Sequence, residues 1–140
     1  GSTGAGKSYM ASAIGHQACS LGYKVMYFNT TKLFTMLKTS KADGSYVKQI
    51  NRLEKQDLLI LDDFGLKGLD NINRHSFMEI IEDRHGKKST IIASQLPVEA
   101  WHEIIGEQTI ADAILDRLVH TAHRINIKGE SMRKKLKNKQ

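Results

Sequence analysis

The chain has 140 residues, of which 40% are hydrophobic and 26% charged, a composition that predicts one globular domain and excludes a disordered chain. No run of about 18 apolar residues occurs, so we expect no membrane-spanning helix. The single cysteine excludes a disulfide framework and favours a reducing, cytoplasmic location.

The net charge of +6 is unevenly distributed along the chain. Residues 1–56 hold eight Lys or Arg against two acidic residues, residues 57–123 six against twelve, and residues 124–140 seven against one. Two basic segments on either side of an acidic one favour a polyanionic partner such as a nucleic-acid backbone. Solvated helix faces and a charged tail are the alternative explanation.

The predicted elements alternate between helix and strand. A glycine-rich opening leads into a helix from Lys7, and we expect one apolar stripe of that helix to be buried: Met10, Ala13, Ile14, Ala18 and Leu21. Strands are predicted at residues 24–28, 58–61, 90–93 and 123–127, and further helices at 30–38, 46–55, 72–84, 101–105 and 109–121. The order predicts an α/β fold with a parallel sheet flanked by helices on both faces.

The opening Gly1–Ser8 matches G-x-x-x-x-G-K-S, the phosphate loop of P-loop nucleotidases. Its glycines let backbone N–H groups point at the phosphates, Lys7 reaches the β- and γ-phosphates, and the Ser8 hydroxyl ligates Mg²⁺. A purely structural glycine-rich turn is the alternative. The predicted nucleotide-binding residues are Gly1, Ser2, Thr3, Gly4, Ala5, Gly6, Lys7, Ser8 and Tyr9.

A phosphate loop joins a strand to a helix. Here the loop starts at residue 1, so we expect its strand upstream and treat this chain as the interior of a longer protein; the family resemblance described below also implies an N-terminal segment upstream.

Two acidic residues end the fully apolar strand at 58–61 and complete the predicted site. We expect Asp62 to hold Mg²⁺ as the Walker-B acid, and Asp63 to orient or deprotonate the attacking water. Acids after strands also cap turns, which is the alternative for each residue alone. Together with the loop, they predict binding of a nucleoside triphosphate with Mg²⁺.

Five segments of the chain resemble the IstB transposition helper ATPases, in the expected order. They are residues 58–66, 80–84, 94–98 with Trp101 close behind, 111–118 and 128–133. This family belongs to the AAA+ superfamily of P-loop proteins, close to the DnaC-type helicase loaders. The resemblance implies an ATPase core over residues 1–133, followed by a basic tail at 134–140. It further implies an oligomer that assembles on DNA and assists an insertion-sequence transposase.

The resemblance also assigns roles to four further positions. Gln95 falls at the sensor-1 position, where many AAA+ proteins have Asn, and Asp63 stands where most have Glu. Arg117 matches the arginine finger, and Arg133 matches the sensor-2 arginine. From its place on the helix alone, Arg117 could equally be a snorkelling arginine at the edge of the apolar face.

Two helices, 30–38 and 46–55, are predicted between the strand at 24–28 and the Asp62 strand. They stand where the resembling helicase-loader and initiator proteins have an extra helix that contacts DNA. Their basic side chains predict contacts with DNA phosphates and no base readout. The predicted DNA-binding residues are Lys32, Lys38, Lys41, Lys48 and Arg52.

Two other functions remain open. A DnaC-type loader would use the same ATPase on a replicative helicase. A small-molecule kinase would need an acceptor pocket and an arginine-rich lid, and no segment of the sequence suits either.

Overall fold

The computed structural model describes residues 2–119, with side chains for residues 6–118. Three strands and six α-helices alternate along this part of the chain, and a 3₁₀ turn at Val98–Ala100 precedes the fifth helix. The strands are β1 (Val25–Asn29), β2 (Leu58–Phe64) and β3 (Ser89–Ser94). The helices are α1 (Ser2–Ser20), α2 (Thr30–Asp43), α3 (Tyr46–Glu54), α4 (Asn71–Arg84), α5 (Trp101–Ile105) and α6 (Gln108–Val119).

The three strands form a parallel sheet in the order β1-β2-β3. The central strand is apolar on both faces because helices cover both: Leu58 and Ile60 pack toward α1, while Leu59 and Leu61 join the core formed with α2 to α6. Trp101 and Phe77 lie in that second core. The predicted α/β fold with helices on both faces is therefore confirmed.

The glycine-rich segment differs from prediction. The sequence predicts a loop ahead of Lys7, but α1 begins at Ser2, so residues 2–6 are helical. In the structure the segment continues the i to i−4 hydrogen bonding of the helix behind it.

The predicted apolar stripe of α1 packs against the sheet only in part, through Ala18. Ile14 is 41% exposed and Leu21 is 66% exposed, whereas Ala11 and Gly15 are buried. The helix lies so close to the sheet that a Cβ on Gly15 would stand 2.9 Å from the Ile60 side chain. Small residues, not large apolar ones, therefore form its contact face.

Two predicted features lie outside the described residues: the last strand at 123–127 and the basic tail at 134–140. Among the described helices, none is long and apolar enough to cross a membrane.

Candidate functional site

The carboxyl ends of the three strands meet at one edge of the sheet, as parallel strands require. Asn29 is paired in register with Asp62, and Phe64 with Ser94. Ligands of open parallel sheets bind at this edge, in the crevice outside the strand ends. The predicted phosphate and metal residues should therefore be found here.

Asp62 is the centre of this edge. It is only 6% exposed, and its Oδ1 accepts hydrogen bonds from the Ser8 hydroxyl at 3.0 Å and from the backbone N–H of Asp63 at 2.8 Å. The Tyr27 hydroxyl donates to Oδ2 of the same carboxylate. The Thr30 hydroxyl donates to the Asp62 carbonyl at 2.6 Å. A buried carboxylate is costly unless it is hydrogen-bonded, and these donors meet that requirement.

Tyr27 was not predicted to belong to the site. Burial, followed by the hydrogen bond to Asp62, raises the pKa of Tyr27 to about 12. The shift favours the protonated phenol, the form that donates to the carboxylate.

Lys7 reaches the same edge from α1. Its Nζ donates to the backbone carbonyl of Ser94, the last residue of β3, at 2.8 Å. Although the segment before it is helical, the structure brings Lys7, Ser8 and Asp62 together as the motif predicts.

Ser94 joins the ends of β2 and β3. Its hydroxyl donates to the Phe64 carbonyl at 2.5 Å and accepts from the Leu96 N–H at 3.1 Å. The chain turns here, and a Cβ on Gly65, whose φ is +96°, would stand 2.8 Å from the Leu96 side chain. Glycine is thus required for β2 and the segment after β3 to approach this closely.

Asp63 adopts a positive φ of 57°, in the left-handed region that Asp and Asn tolerate better than other side chains. The register of β2 against β3 shifts between Leu61 and Phe64, so the strand is irregular at its acidic pair. Local strain of this kind is concentrated at functional sites.

Asn29 connects Asp63 to α2. Its Nδ2 donates to Asp63 Oδ2 at 3.2 Å, and its Oδ1 accepts from the Lys32 N–H at 3.1 Å as the N-cap of α2. One side chain thus links the predicted catalytic acid to the first predicted DNA-contacting helix. The sequence held a usable signal, because Asn29 ends β1 just as Asp62 comes near the end of β2.

A cavity of about 210 Å³ lies beside Asp63, between the start of α2 and the segment that follows β2. Its lining includes Thr31, Thr35 and Lys38, but neither Lys7 nor Ser8. It is therefore separate from the predicted phosphate site and smaller than the roughly 300 Å³ at which ligand pockets usually begin.

Of the remaining family-derived residues, one lies at this edge, one is bonded away from it and one lies outside the described chain. Gln95 follows directly after β3 and is exposed. Arg117 on α6 donates to Glu82 Oε1 on α4 at 3.1 Å and to the Ala113 carbonyl at 2.9 Å, neither of which belongs to the edge formed by Asp62. Arg133 lies outside the described residues.

The predicted DNA-binding residues lie on the outer surfaces of α2 and α3. Lys38 forms an ion pair with Asp70, the N-cap of α4, and the Lys41 ammonium lies 4.6 Å from the centre of the Tyr46 ring. The hydrogen bond from Lys38 lowers the pKa of Asp70. All five side chains are exposed: Lys32, Lys38, Lys41, Lys48 and Arg52.

The residues at the edge fit a magnesium ion better than a softer metal. The Ser8 hydroxyl and the Asp62 carboxylate are hard oxygen donors 3.0 Å apart. Mg²⁺ at nucleotide sites is commonly held by one or two protein oxygens together with substrate phosphates. No group of three or more His, Cys, Asp or Glu suited to a metal occurs in the described part of the chain.

Comparison with known proteins identifies relatives of the chain. A family model described as "IstB-like ATP binding protein" matches residues 1–140. Over 139 residues, 99% of this chain and 57% of the relative, the sequence is 52% identical to a Sinorhizobium fredii (strain NBRC 101917 / NGR234) protein named as insertion sequence ATP-binding protein y4pL. It is 34% identical over 139 residues, 99% of this chain and 52% of the relative, to the Pseudomonas aeruginosa protein named as the ATP-binding protein of insertion sequence IS21. The chain thus spans little more than half of these relatives.

Two solved structures share the fold. The AMPPCP-bound DnaA from Aquifex aeolicus matches with a TM-score of 0.74 and 21% identity, covering 99% of this chain and 43% of that chain. The DnaC helicase loader matches with a TM-score of 0.54 and 21% identity, covering 69% and 59%. Both matches show the same α/β fold, a parallel sheet flanked by helices.

Proposed function

Because this chain belongs to the IstB-like ATP-binding family, we propose that it hydrolyses ATP with Mg²⁺ and assembles as an oligomer on DNA to assist an insertion-sequence transposase. The observation that carries the proposal is the convergence of Lys7, Ser8 and Asp62 at the carboxyl edge of the sheet. The names of the relatives, all insertion-sequence ATP-binding proteins, support the setting.

Each residue has a defined task in the proposed reaction. The Lys7 ammonium, which donates to a neutral carbonyl in the structure, would exchange that acceptor for a phosphate oxygen, a stronger charge-assisted partner. Ser8 and Asp62 would hold Mg²⁺, which supplies positive charge against the phosphates. Asp63, kept in place by Asn29, would accept the proton of the attacking water.

The DNA-binding part of the proposal depends on the surfaces of α2 and α3. Their lysines carry no neighbouring base-reading motif, so we expect contacts with phosphates whatever the sequence. Lys38 can exchange Asp70 for a DNA phosphate at little cost, because an ion pair whose side chains are 44% and 50% exposed contributes only about 0–1 kcal/mol.

The experiment measures ATP hydrolysis by the whole protein alone, with duplex DNA, and with single-stranded DNA plus a replicative helicase. The proposal predicts stimulation by duplex DNA. Stimulation only by the helicase or by single strands would instead support a loader, the function suggested by the fold shared with the DnaC helicase loader. If the protein hydrolyses no ATP in all three conditions, both functions are contradicted.

A further inference from the structure

The carboxylate of Asp62 accepts hydrogen bonds at both of its oxygens. Ser8 and the Asp63 N–H donate to Oδ1, at 3.0 and 2.8 Å, and Tyr27 donates to Oδ2. Two of these donors are explained by the phosphate-loop and acidic motifs. The third, the Tyr27 hydroxyl, belongs to neither.

The sheet register explains how Tyr27 reaches this carboxylate. Tyr27 is opposite Ile60, and Asn29 is opposite Asp62, so Tyr27 is one side-chain repeat behind Asn29 on the same face of β1. The Tyr27 side chain is long enough to reach from its place opposite Ile60 to Asp62, two residues further along β2.

Burial of apolar surface does not account for a tyrosine at this position. Tyr27 is 45% exposed, so its ring gains less from the hydrophobic effect than a core aromatic does. Its hydroxyl, by contrast, bonds a carboxylate that is only 6% exposed. The hydrogen bond is the more specific contact of this side chain.

We infer that Tyr27 is a positioning residue for Asp62. By bonding Oδ2, the hydroxyl fixes the plane of the carboxylate and keeps Oδ1 beside the Ser8 hydroxyl, which prepares the two oxygen donors for a divalent cation. The inference rests on the proposed ATP·Mg²⁺ site and adds a residue that neither motif contains. Outer hydrogen bonds of this kind orient metal-binding carboxylates in other proteins.

The test uses Tyr27→Phe in the whole protein, with Mn²⁺ as the probe. Binding of Mn²⁺ in the presence of a non-hydrolysable ATP analogue is followed by electron paramagnetic resonance. Binding of the analogue alone is measured in EDTA. Tyr23→Phe is the matched control, because Tyr23 is 56% exposed and the same hydroxyl is removed outside the site.

We expect Tyr27→Phe to weaken Mn²⁺ binding by about 10- to 100-fold, the usual effect of losing an outer hydrogen bond to a metal ligand. Affinity for the analogue in EDTA and the melting temperature should remain those of the parent, and Tyr23→Phe should match the parent throughout. Unchanged Mn²⁺ affinity in Tyr27→Phe would overturn the inference. A parallel loss of metal-free analogue binding would also overturn it, because Tyr27 would then support the fold.

Failure of the proposed function gives a different result. If the parent itself binds no Mn²⁺ with the analogue, the nucleotide–metal site is wrong and the role of Tyr27 falls with it. If the parent binds and both variants equal it, only the role of Tyr27 is wrong.

Discussion

The Lys7 ammonium donates a single described hydrogen bond, to the Ser94 carbonyl at the end of β3. We expect Lys7→Ala to lose ATP binding while keeping the fold, because it removes the cation that the phosphates need and leaves the apolar cores intact. Titration with a fluorescent ATP analogue checks this prediction, and circular dichroism monitors the fold. An affinity equal to that of the parent would exclude Lys7 from the nucleotide site.

Asp62 and Asp63 are adjacent but have different surroundings. We therefore expect their Asn variants to show different defects in binding and hydrolysis. Asp63→Asn should bind ATP and Mg²⁺ yet hydrolyse more slowly by about 10²–10⁴-fold, the usual contribution of a general base. Asp62→Asn should lose the Mg²⁺-dependent part of ATP binding, because its carboxylate faces Ser8.

The two defects are separated by measuring ATP affinity with and without Mg²⁺, alongside the hydrolysis rate. Hydrolysis by Asp63→Asn at the parental rate would show that another group positions the water.

The sequence could predict the site residues that belong to the phosphate-loop and acidic motifs. Lys7, Ser8 and Asp62 were expected to lie together. In the structure Ser8 donates to Asp62 and Lys7 donates to the Ser94 carbonyl, at the same edge of the sheet. Tyr27 was missed because its contact depends on the register between β1 and β2, which no local pattern encodes. Asn29 could have been found from its place at the end of the strand next to Asp62.

At the scale of elements, the hydrophobic pattern located every helix and strand of the described chain, with shifts at their ends. The largest differences are in α1, which begins at Ser2 and packs by Ala11 and Gly15. Apolar periodicity identifies a helix but not how closely its backbone approaches a sheet. For that reason the small-residue face of α1 could not be predicted.

Helices α2 and α3 present the basic residues expected to contact DNA. Replacing Lys38, Lys41 and Lys48 with Gln should weaken binding to unrelated duplexes by similar factors. The slope of log K against log salt should fall by about 0.9 for each DNA phosphate that the variant no longer neutralises. Fluorescence anisotropy at several salt concentrations provides the measurement.

The matched control removes the same charge elsewhere, through Lys24, Lys87 and Lys88 to Gln, which are exposed residues that belong to neither helix. If both triple variants lower the slope equally, net charge and not this surface determines binding. An unchanged slope in the first variant would show that Lys38, Lys41 and Lys48 are solvated residues that do not contact DNA.

Arg84 fastens α3 and α4 to the start of the sheet. It is 1% exposed, and its guanidinium donates to the carbonyls of Leu53, Gln56 and Ser89 at 2.7, 2.8 and 2.6 Å. Burial lowers its pKa from the ordinary value. Its acceptors are backbone oxygens and the Thr90 hydroxyl. The side chain therefore joins α4 to the end of α3 and to the starts of β2 and β3 by hydrogen bonds.

We expect Arg84→Met to lower the free energy of unfolding by about 2–4 kcal/mol, because one buried and two part-buried carbonyls lose their donor at once. The control is Arg52→Met on the exposed face of α3, which should change it by no more than about 0.5 kcal/mol. Urea denaturation measures both. Equal stability of the two variants would show that water replaces the guanidinium without loss.

At the scale of the whole molecule, the position of Arg117 bears on assembly. Within one protomer it donates to Glu82 on α4, and these side chains are 29% and 50% exposed. A partly exposed ion pair contributes little, so a γ-phosphate of a neighbouring protomer could replace Glu82 as the partner. Arginine fingers supplied in this way contribute about 10³–10⁵ to the rate in other nucleotidases.

The central claim is an ATPase whose active site is completed between protomers, and mixing two inactive variants tests it most directly. Asp63→Asn keeps Arg117, and Arg117→Ala keeps Asp63, so each alone should hydrolyse ATP poorly on DNA. In an equimolar mixture, random pairing joins an intact Asp63 to an intact neighbouring Arg117 at roughly a quarter of head-to-tail interfaces. We predict that hydrolysis recovers toward that fraction of the parental rate. If the variants co-assemble on DNA and the mixture stays as inactive as its components, or if a monomeric form hydrolyses ATP at the full rate, the claim is contradicted.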